Sequence, residues 1–172
     1  MKITSLESLL VDELKDIYSA ENQLIKAMPR IIKTADSKDL RTTLEQHLQE
    51  TERHVQRLEE ICRKLETSPK GKKCTGMEGL IEEAVELLKS EGDNESLEAG
   101  LIGAAQRIEH YEIAAYGTAR AHARQLGFVE AVKLLSETLE EEKLADKKLT
   151  KVAENGVNVQ AAMTAGDRLE SL

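Results

Sequence analysis

Apolar residues recur along most of the chain at intervals of three and four, the spacing that places side chains on one face of an α-helix. In the first such stretch the repeating positions include Leu10, Leu14, Ile17 and Leu24. The pattern predicts five helices, at about residues 4–35, 38–66, 76–91, 95–126 and 128–155. After Gly156 the periodicity weakens, so residues 157–172 are predicted to form a tail or a short helix.

A short turn at Asp36-Ser37 connects the first two long helices, and a short turn at Gly127 connects the last two. Each pair should therefore form an antiparallel hairpin. Residues 67–94, which include the shorter third helix, are long enough to cross the bundle between the hairpins. Four long helices with one long crossover form the ferritin-like arrangement. The sequence thus predicts an all-α, ferritin-like four-helix bundle over residues 1–156.

The composition supports a helical domain and limits its partners. The 172 residues suit one domain, and they include three Tyr, one Phe and no Trp. A net charge of −8 disfavours nucleic acid and anionic membranes as partners. No apolar run approaches the roughly 20 residues of a membrane span, and no signal-peptide core is visible. Cys62 and Cys74 form no paired motif. We therefore expect a cytoplasmic protein with reduced thiols.

Several acidic side chains occupy positions where an aliphatic residue is expected. Glu21, Glu112 and Glu142 each lie near the centre of the apolar face of their helix, and Glu109 lies at the edge of the face that holds Glu112. A carboxylate moved out of water loses several kcal/mol of hydration unless another group compensates for it. These positions therefore predict a positively charged partner inside the bundle.

The spacing from the turns predicts that four acids lie at one level. Glu21 and Glu50 are 15 and 14 residues from Asp36, and Glu112 and Glu142 are each 15 residues from Gly127. With a rise of about 1.5 Å per residue, all four lie roughly 22 Å from their turns, near the middle of the bundle. Four carboxylates at one depth cannot all ionise without a countercharge.

Two divalent cations bridged by carboxylates solve this problem in such bundles, and oxygen ligands with an imidazole suit Fe or Mn. His54 lies one turn from Glu50, and Glu109 lies one turn from Glu112, so both can complete the ligand shell. His47 is a weaker candidate because it lies a turn away from the common level, and Glu141 is expected to point away. The predicted metal ligands are Glu21, Glu50, His54, Glu109, Glu112 and Glu142.

Five segments of the chain resemble the bacterial YciF-like stress-protein family. They are Tyr18 to Leu24, His47 to Thr51, Lys73 to Ile81, Glu109 to Gly117 and Glu141 to Lys143. The resemblance covers almost the whole chain to about Asn155. It implies membership of the ferritin-like superfamily, a homodimeric bundle of the rubrerythrin kind, a dinuclear metal centre and a role in stress responses. The chain departs from the superfamily's Glu-x-x-His pattern at Arg53 and Ala145.

We therefore predict a ferritin-like stress protein with a di-iron or di-manganese centre that reacts Fe(II) with oxygen or peroxide. Whether it acts as a ferroxidase-like or peroxidase-like enzyme stays open. One alternative is a non-catalytic helical dimer whose surface is its function and whose acids are merely hydrated. Another is a metal buffer that stores iron without turnover.

Overall fold

The computed structural model describes residues 3–169, and the side chains of residues 3–163. The α-helices are α1 (Leu6–Thr34), α2 (Lys38–Lys64), α3 (Thr75–Leu87), α4 (Asn94–Gln125) and α5 (Val129–Val152). A π-helical turn (Ala153–Val157) leads into α6 (Asn158–Leu169). No strand occurs in the part of the chain that is described. The all-α class is therefore confirmed.

The C-terminal segment and the end of α3 differ from the bounds that the sequence predicts. Residues 157–169, predicted as a tail or a short helix, are almost entirely helical, while 170–172 lie outside the described residues. Helix α3 ends at Leu87, four residues before its predicted end. There the backbone N–H groups of Lys89 and Ser90 bond to carbonyls only three residues back, which tightens the last turn and ends the helix.

The four long helices form a closed ring of contacts. Helix α1 packs on α2 and α4, and α5 packs on α2 and α4, while the crossover helix α3 lies against α1 and α4. Short connections at residues 35–37 and 126–128 join the two helices of each hairpin, and the segment that contains α3 joins one hairpin to the other. This is the ferritin-like bundle with one long crossover that the sequence predicts.

The buried positions on each long helix repeat at intervals that alternate mainly between three and four residues. On α2 the series is Leu40, Leu44, His47, Thr51, His54, Leu58 and Ile61. One apolar cluster takes its residues from the 10–17, 58–62, 115–123 and 131–139 stretches, and another from the 31–44, 101–104 and 149–157 stretches. On every long helix the buried acids and histidines fall between these two clusters, except for Glu98, which lies near the start of α4. The core therefore contains two apolar layers with a polar layer between them, and a third apolar cluster beside the polar layer packs α1 against α3 and α4.

Candidate metal centre

The polar layer contains four carboxylates that are almost completely buried. Glu21, Glu109, Glu112 and Glu142 are each at most 2% exposed. Two imidazoles from α2, His47 and His54, lie beside them, at 5% and 0% exposed. Each long helix supplies at least one of these side chains, so the bundle itself positions the group.

The six side chains form two overlapping groups with metal-ligand spacing. One ligand atom from each of His47, Glu109, Glu112 and Glu142 lies within 4.8 Å of the others. Ligand atoms of Glu21, His54 and Glu142 meet the same criterion. Glu142 belongs to both groups. A carboxylate has two oxygens, so Glu142 can contribute to two neighbouring cation positions at once.

The oxygen and nitrogen atoms of this layer fit a cation better than they fit one another. Both carboxylate oxygens of Glu112 and both of Glu142 are buried without a hydrogen-bond partner among the described residues, as is one oxygen each of Glu21 and Glu109. Native cores rarely leave buried polar atoms unsatisfied. Electron-rich oxygens that converge without donors are what a divalent cation requires, so the buried group could hold a metal ion.

The histidines lie close to the acids but are not well aligned for hydrogen bonds with them. His54 Nδ1 lies 3.0 Å from Glu142 Oε1 and 3.3 Å from Glu21 Oε1. His47 Nε2 lies 3.3 Å from Glu109 Oε1. Nevertheless His54 Nδ1 and both ring nitrogens of His47 lack a hydrogen-bond partner in the described part of the chain. These nitrogens can therefore act as ligands without breaking a hydrogen bond.

The protonation of the metal-free site reflects its crowded negative charge. Burial, followed by the neighbouring carboxylates, raises the pKa of Glu112 well above its usual value. Burial also raises the pKa of Glu109. Burial alone would lower the pKa of both histidines, but the nearby carboxylates outweigh it and raise the pKa of His47 to about 9 and that of His54 to about 12. Without a metal, protons supply the charge balance.

Further polar contacts surround His54 and Glu21 on one side of the site. His54 Nε2 lies 2.9 Å from Glu141 Oε2, and Arg57 donates to both Glu141 oxygens. The hydroxyl of Tyr116 donates to Glu21. Burial opposes ionisation of Glu141, but His54 and Arg57 together lower its pKa to about 2. An ionised Glu141 holds the proton of His54 on Nε2, which leaves Nδ1 as the free ligand atom.

The structure brings together five of the six predicted ligands, namely Glu21, His54, Glu109, Glu112 and Glu142. Glu50 is only partly buried, with 17% of its side chain exposed, and it lies outside both groups. His47 lies in the group in its place. The expectation that Glu141 points away from the site is wrong, since Glu141 reaches across to α2 and contacts His54. Metal ligation itself stays a prediction for all six residues.

Fold and site together define a class of protein: an all-helical, ferritin-like bundle with a buried carboxylate and histidine group that could hold a metal ion. Within that class the chain belongs to the family described as "Domain of unknown function (DUF892)", whose model matches residues 5–162. This family match agrees with the YciF-like resemblance in the sequence.

Individual relatives agree with this assignment. The chain is 45% identical to protein YciF of Escherichia coli K12 over 163 residues, which cover 94% of this chain and 98% of that protein. The crystal structure of E. coli YciF, described as a stress protein, superposes with a TM-score of 0.87 at 44% identity, covering 91% of this chain and 99% of that one.

Two further solved structures share the fold. YcfI from Rhodopseudomonas palustris superposes with a TM-score of 0.86 at 43% identity and covers 88% of this chain and 97% of its own. A Xanthomonas campestris protein at 20% identity has a TM-score of 0.71, covers 98% and 100% of the two chains, and supports the fold alone. Across the described residues, no helix combines the length and apolar character that a membrane span needs.

Proposed function

We propose that this protein is a stress protein that binds two iron or manganese ions in the polar layer of the bundle and oxidises Fe(II) with oxygen or peroxide. The observation that carries the proposal is the sharing of Glu142 between two groups of buried candidate ligands, in which six of the eight carboxylate oxygens lack a hydrogen-bond partner among the described residues. The description of E. coli YciF as a stress protein supports the physiological role.

Charge balance favours two cations over one. The four buried carboxylates carry four negative charges when ionised, and both histidines are neutral when they act as ligands. Two divalent cations supply four positive charges, so the layer becomes neutral without any proton. A single cation would leave two buried negative charges that protons would have to balance, at a cost in a low-dielectric core.

The candidate ligands would be divided between the two ions as follows. His47, Glu109 and Glu112 would hold one ion, Glu21 and His54 would hold the other, and Glu142 would serve both. Glu141 and Arg57 keep His54 in the tautomer that presents Nδ1 to the site. When bound, two Fe(II) ions can supply one electron each, which is the number needed to reduce peroxide to water or dioxygen to peroxide. The apolar layers on either side exclude bulk water.

Metal titration tests the proposal directly. Chelator-treated protein is titrated anaerobically with Fe(II), and in parallel with Mn(II), and the bound metal is counted after gel filtration. We expect about two ions per chain, and Glu142→Gln should lower the affinity at both positions. Protein that takes up no more metal than its Glu142→Gln variant would instead favour the non-catalytic helical alternative.

Turnover and storage are separated by a second measurement. Oxygen uptake and peroxide consumption are followed after Fe(II) loading, with repeated additions of iron. Catalysis gives consumption in proportion to each addition, while a buffer binds iron once and consumes little oxidant.

We also propose a cytoplasmic homodimer without nucleic-acid or membrane partners, which analytical ultracentrifugation and localisation in intact cells would test.

A further inference from the structure

A small cavity adjoins the His47 side of the metal centre. Its volume is about 30 Å³, and His47 and Glu109 form its only polar wall. Every other residue that lines it is apolar, and these residues come from α1, α2, α3 and α4. The lining includes Leu24, Leu44, Ala84, Ala105 and Ile108. The crossover helix α3 thus helps to enclose a chamber that opens onto the candidate ligands.

The size and lining of this cavity select its occupant. About 10–15 Å³ of such space suffices for one water molecule, but a water also needs two to four polar partners. His47 and Glu109 are the only lining residues that offer any, so a water could be held from one side alone, while the remaining apolar walls suit an apolar guest. Hydrogen peroxide has two hydroxyl groups and would lose most of its hydrogen bonds in this chamber. A small molecule without hydrogen-bond donors meets no such cost.

We propose that this cavity is a binding site for one small apolar molecule, of which dioxygen is the reactive example, held against His47 and Glu109. The proposal rests on the proposed function for the choice of dioxygen, because a redox metal gives that molecule something to react with. The existence of an apolar guest site does not depend on any metal.

The surroundings of the centre favour this side as the place for an apolar guest. Around His54 the neighbouring groups are polar, with Arg57, Glu141 and the Tyr116 hydroxyl all in hydrogen bonds. An apolar molecule there would have to displace charged or hydrogen-bonded groups. At His47 the cavity needs no such rearrangement, since its apolar walls already leave space.

Xenon is the probe for the cavity, because it is apolar, inert and readily detected. Metal-free protein is titrated with dissolved xenon and followed by 129Xe NMR, for the unaltered chain and three variants. Ala105→Val on α4 and Ala84→Val on α3 each add two methyl groups to a residue that lines the cavity. Ala99→Val makes the same change on α4, at a partly buried position of the same apolar cluster that does not line the cavity.

We expect the unaltered chain and Ala99→Val to bind one xenon, and both Ala105→Val and Ala84→Val to weaken xenon binding by about tenfold or more. The use of two helices guards against one variant that fails to fold, and circular dichroism identifies such a variant. Absence of xenon binding in the unaltered chain, or equal binding in all four proteins, would overturn the site.

The dioxygen assignment has its own measurement. Fe(II)-loaded protein is mixed with dioxygen or with peroxide, and the rate of iron oxidation is compared across the same variants. We expect the two cavity-filling variants to slow the dioxygen reaction, with Fe(II) affinity unchanged and the peroxide reaction much less affected. An unchanged dioxygen rate in variants that exclude xenon would overturn the assignment. If Fe(II) does not bind at all, the proposed function fails and dioxygen fails with it, while the xenon result stands separately.

Discussion

Glu140, Glu141 and Glu142 have the same side chain and are consecutive on α5, yet each meets a different environment. The Glu140 side chain is 68% exposed and pairs with Lys143, Glu141 is 28% exposed, and Glu142 is fully buried. Successive residues on a helix are turned by about 100°, so only one of the three can face the centre of the bundle. That residue is Glu142. Glu141 lies on the flank, at the contact with α2, and Glu140 lies in solvent.

This run provides a matched series for the metal centre. Glu142→Gln should weaken binding at both proposed cation positions, because it removes the carboxylate that belongs to both groups of candidate ligands. Glu141→Gln should lower metal affinity by about 10–100-fold through the loss of its contact with His54. Glu140→Gln should leave affinity unchanged. Competition with a calibrated chelator measures all three, and equal affinities for Glu140→Gln and Glu141→Gln would contradict the positioning of His54 by Glu141.

The metal-free protein should respond in the opposite sense to the loss of one acid. Neither oxygen of Glu112 has a hydrogen-bond partner among the described residues, and three other buried carboxylates surround it. Glu112→Gln removes a buried group that must either repel the other carboxylates or hold a proton that the unfolded chain releases, so in chelator at pH 8 we expect the free energy of unfolding to rise by about 1–2 kcal/mol. Urea unfolding measures it. Glu45→Gln, on the exposed side of α2, should change little, and a clear loss of stability in Glu112→Gln would be incompatible with an electrostatically strained layer.

At the scale of a helix, the alternation of three and four residues explains which predictions hold. On α2 the buried series passes through His47, Thr51 and His54, and Glu50 lies one position off it. Distance from the turn placed Glu50 at the right height, but height does not determine the direction of a side chain. The regular spacing of the apolar residues on either side places His47 on the inward face and Glu50 at its margin, and only the argument from level favours Glu50 over His47.

Contacts between helices account for what the sequence could not supply. The helices, their pairing and the burial of Glu21, Glu112 and Glu142 all follow from periodicity along single helices. Glu141 contacts His54 because α5 packs on α2 at that point. No pattern within one helix encodes how two helices are rotated against each other. For the same reason the cavity beside His47, lined by four helices, could not be predicted from the sequence.

One contact between the two hairpins fixes the start of α2. Glu98 of α4 is 9% exposed, and its Oε1 accepts a hydrogen bond of 2.7 Å from the backbone N–H of Ser37, the residue that caps α2. Glu98→Ala should lower the free energy of unfolding by about 1–3 kcal/mol, because it removes the acceptor of a partly buried donor. Thermal and urea unfolding test this. Glu98→Gln keeps an acceptor and should recover most of the loss; a Gln variant as unstable as the Ala variant would argue against the hydrogen bond.

At the scale of the whole molecule, the metal-free protein should lose stability as the pH rises. His47 has a pKa of about 9 in the folded chain against an ordinary value of 6.5, so its contribution is complete below pH 6.5 and is lost as the pH rises through 9. The raised pKa values of Glu109 and Glu112 act in the same direction, because the folded chain keeps protons that the unfolded chain releases.

Urea unfolding in chelator should therefore give a free energy of unfolding that falls by about 3 kcal/mol or more between pH 6 and pH 9. His47→Gln should reduce this dependence, since it removes one of the responsible groups. Metal-loaded protein should depend less on pH in that range, because cations replace the protons. Metal-free stability that rises from pH 6 to pH 9 would contradict the charge distribution described for the polar layer.

We propose a role for the four buried carboxylates, which is to hold two cations. Its most direct test is the number of Fe(II) or Mn(II) ions bound per chain in anaerobic titration of chelator-treated protein, measured beside Glu142→Gln. We expect about two ions in the unaltered chain and a large loss of affinity in the variant. No bound metal in either protein, with an unaltered chain that stays folded, would contradict the claim and leave a helical bundle whose acids serve another purpose.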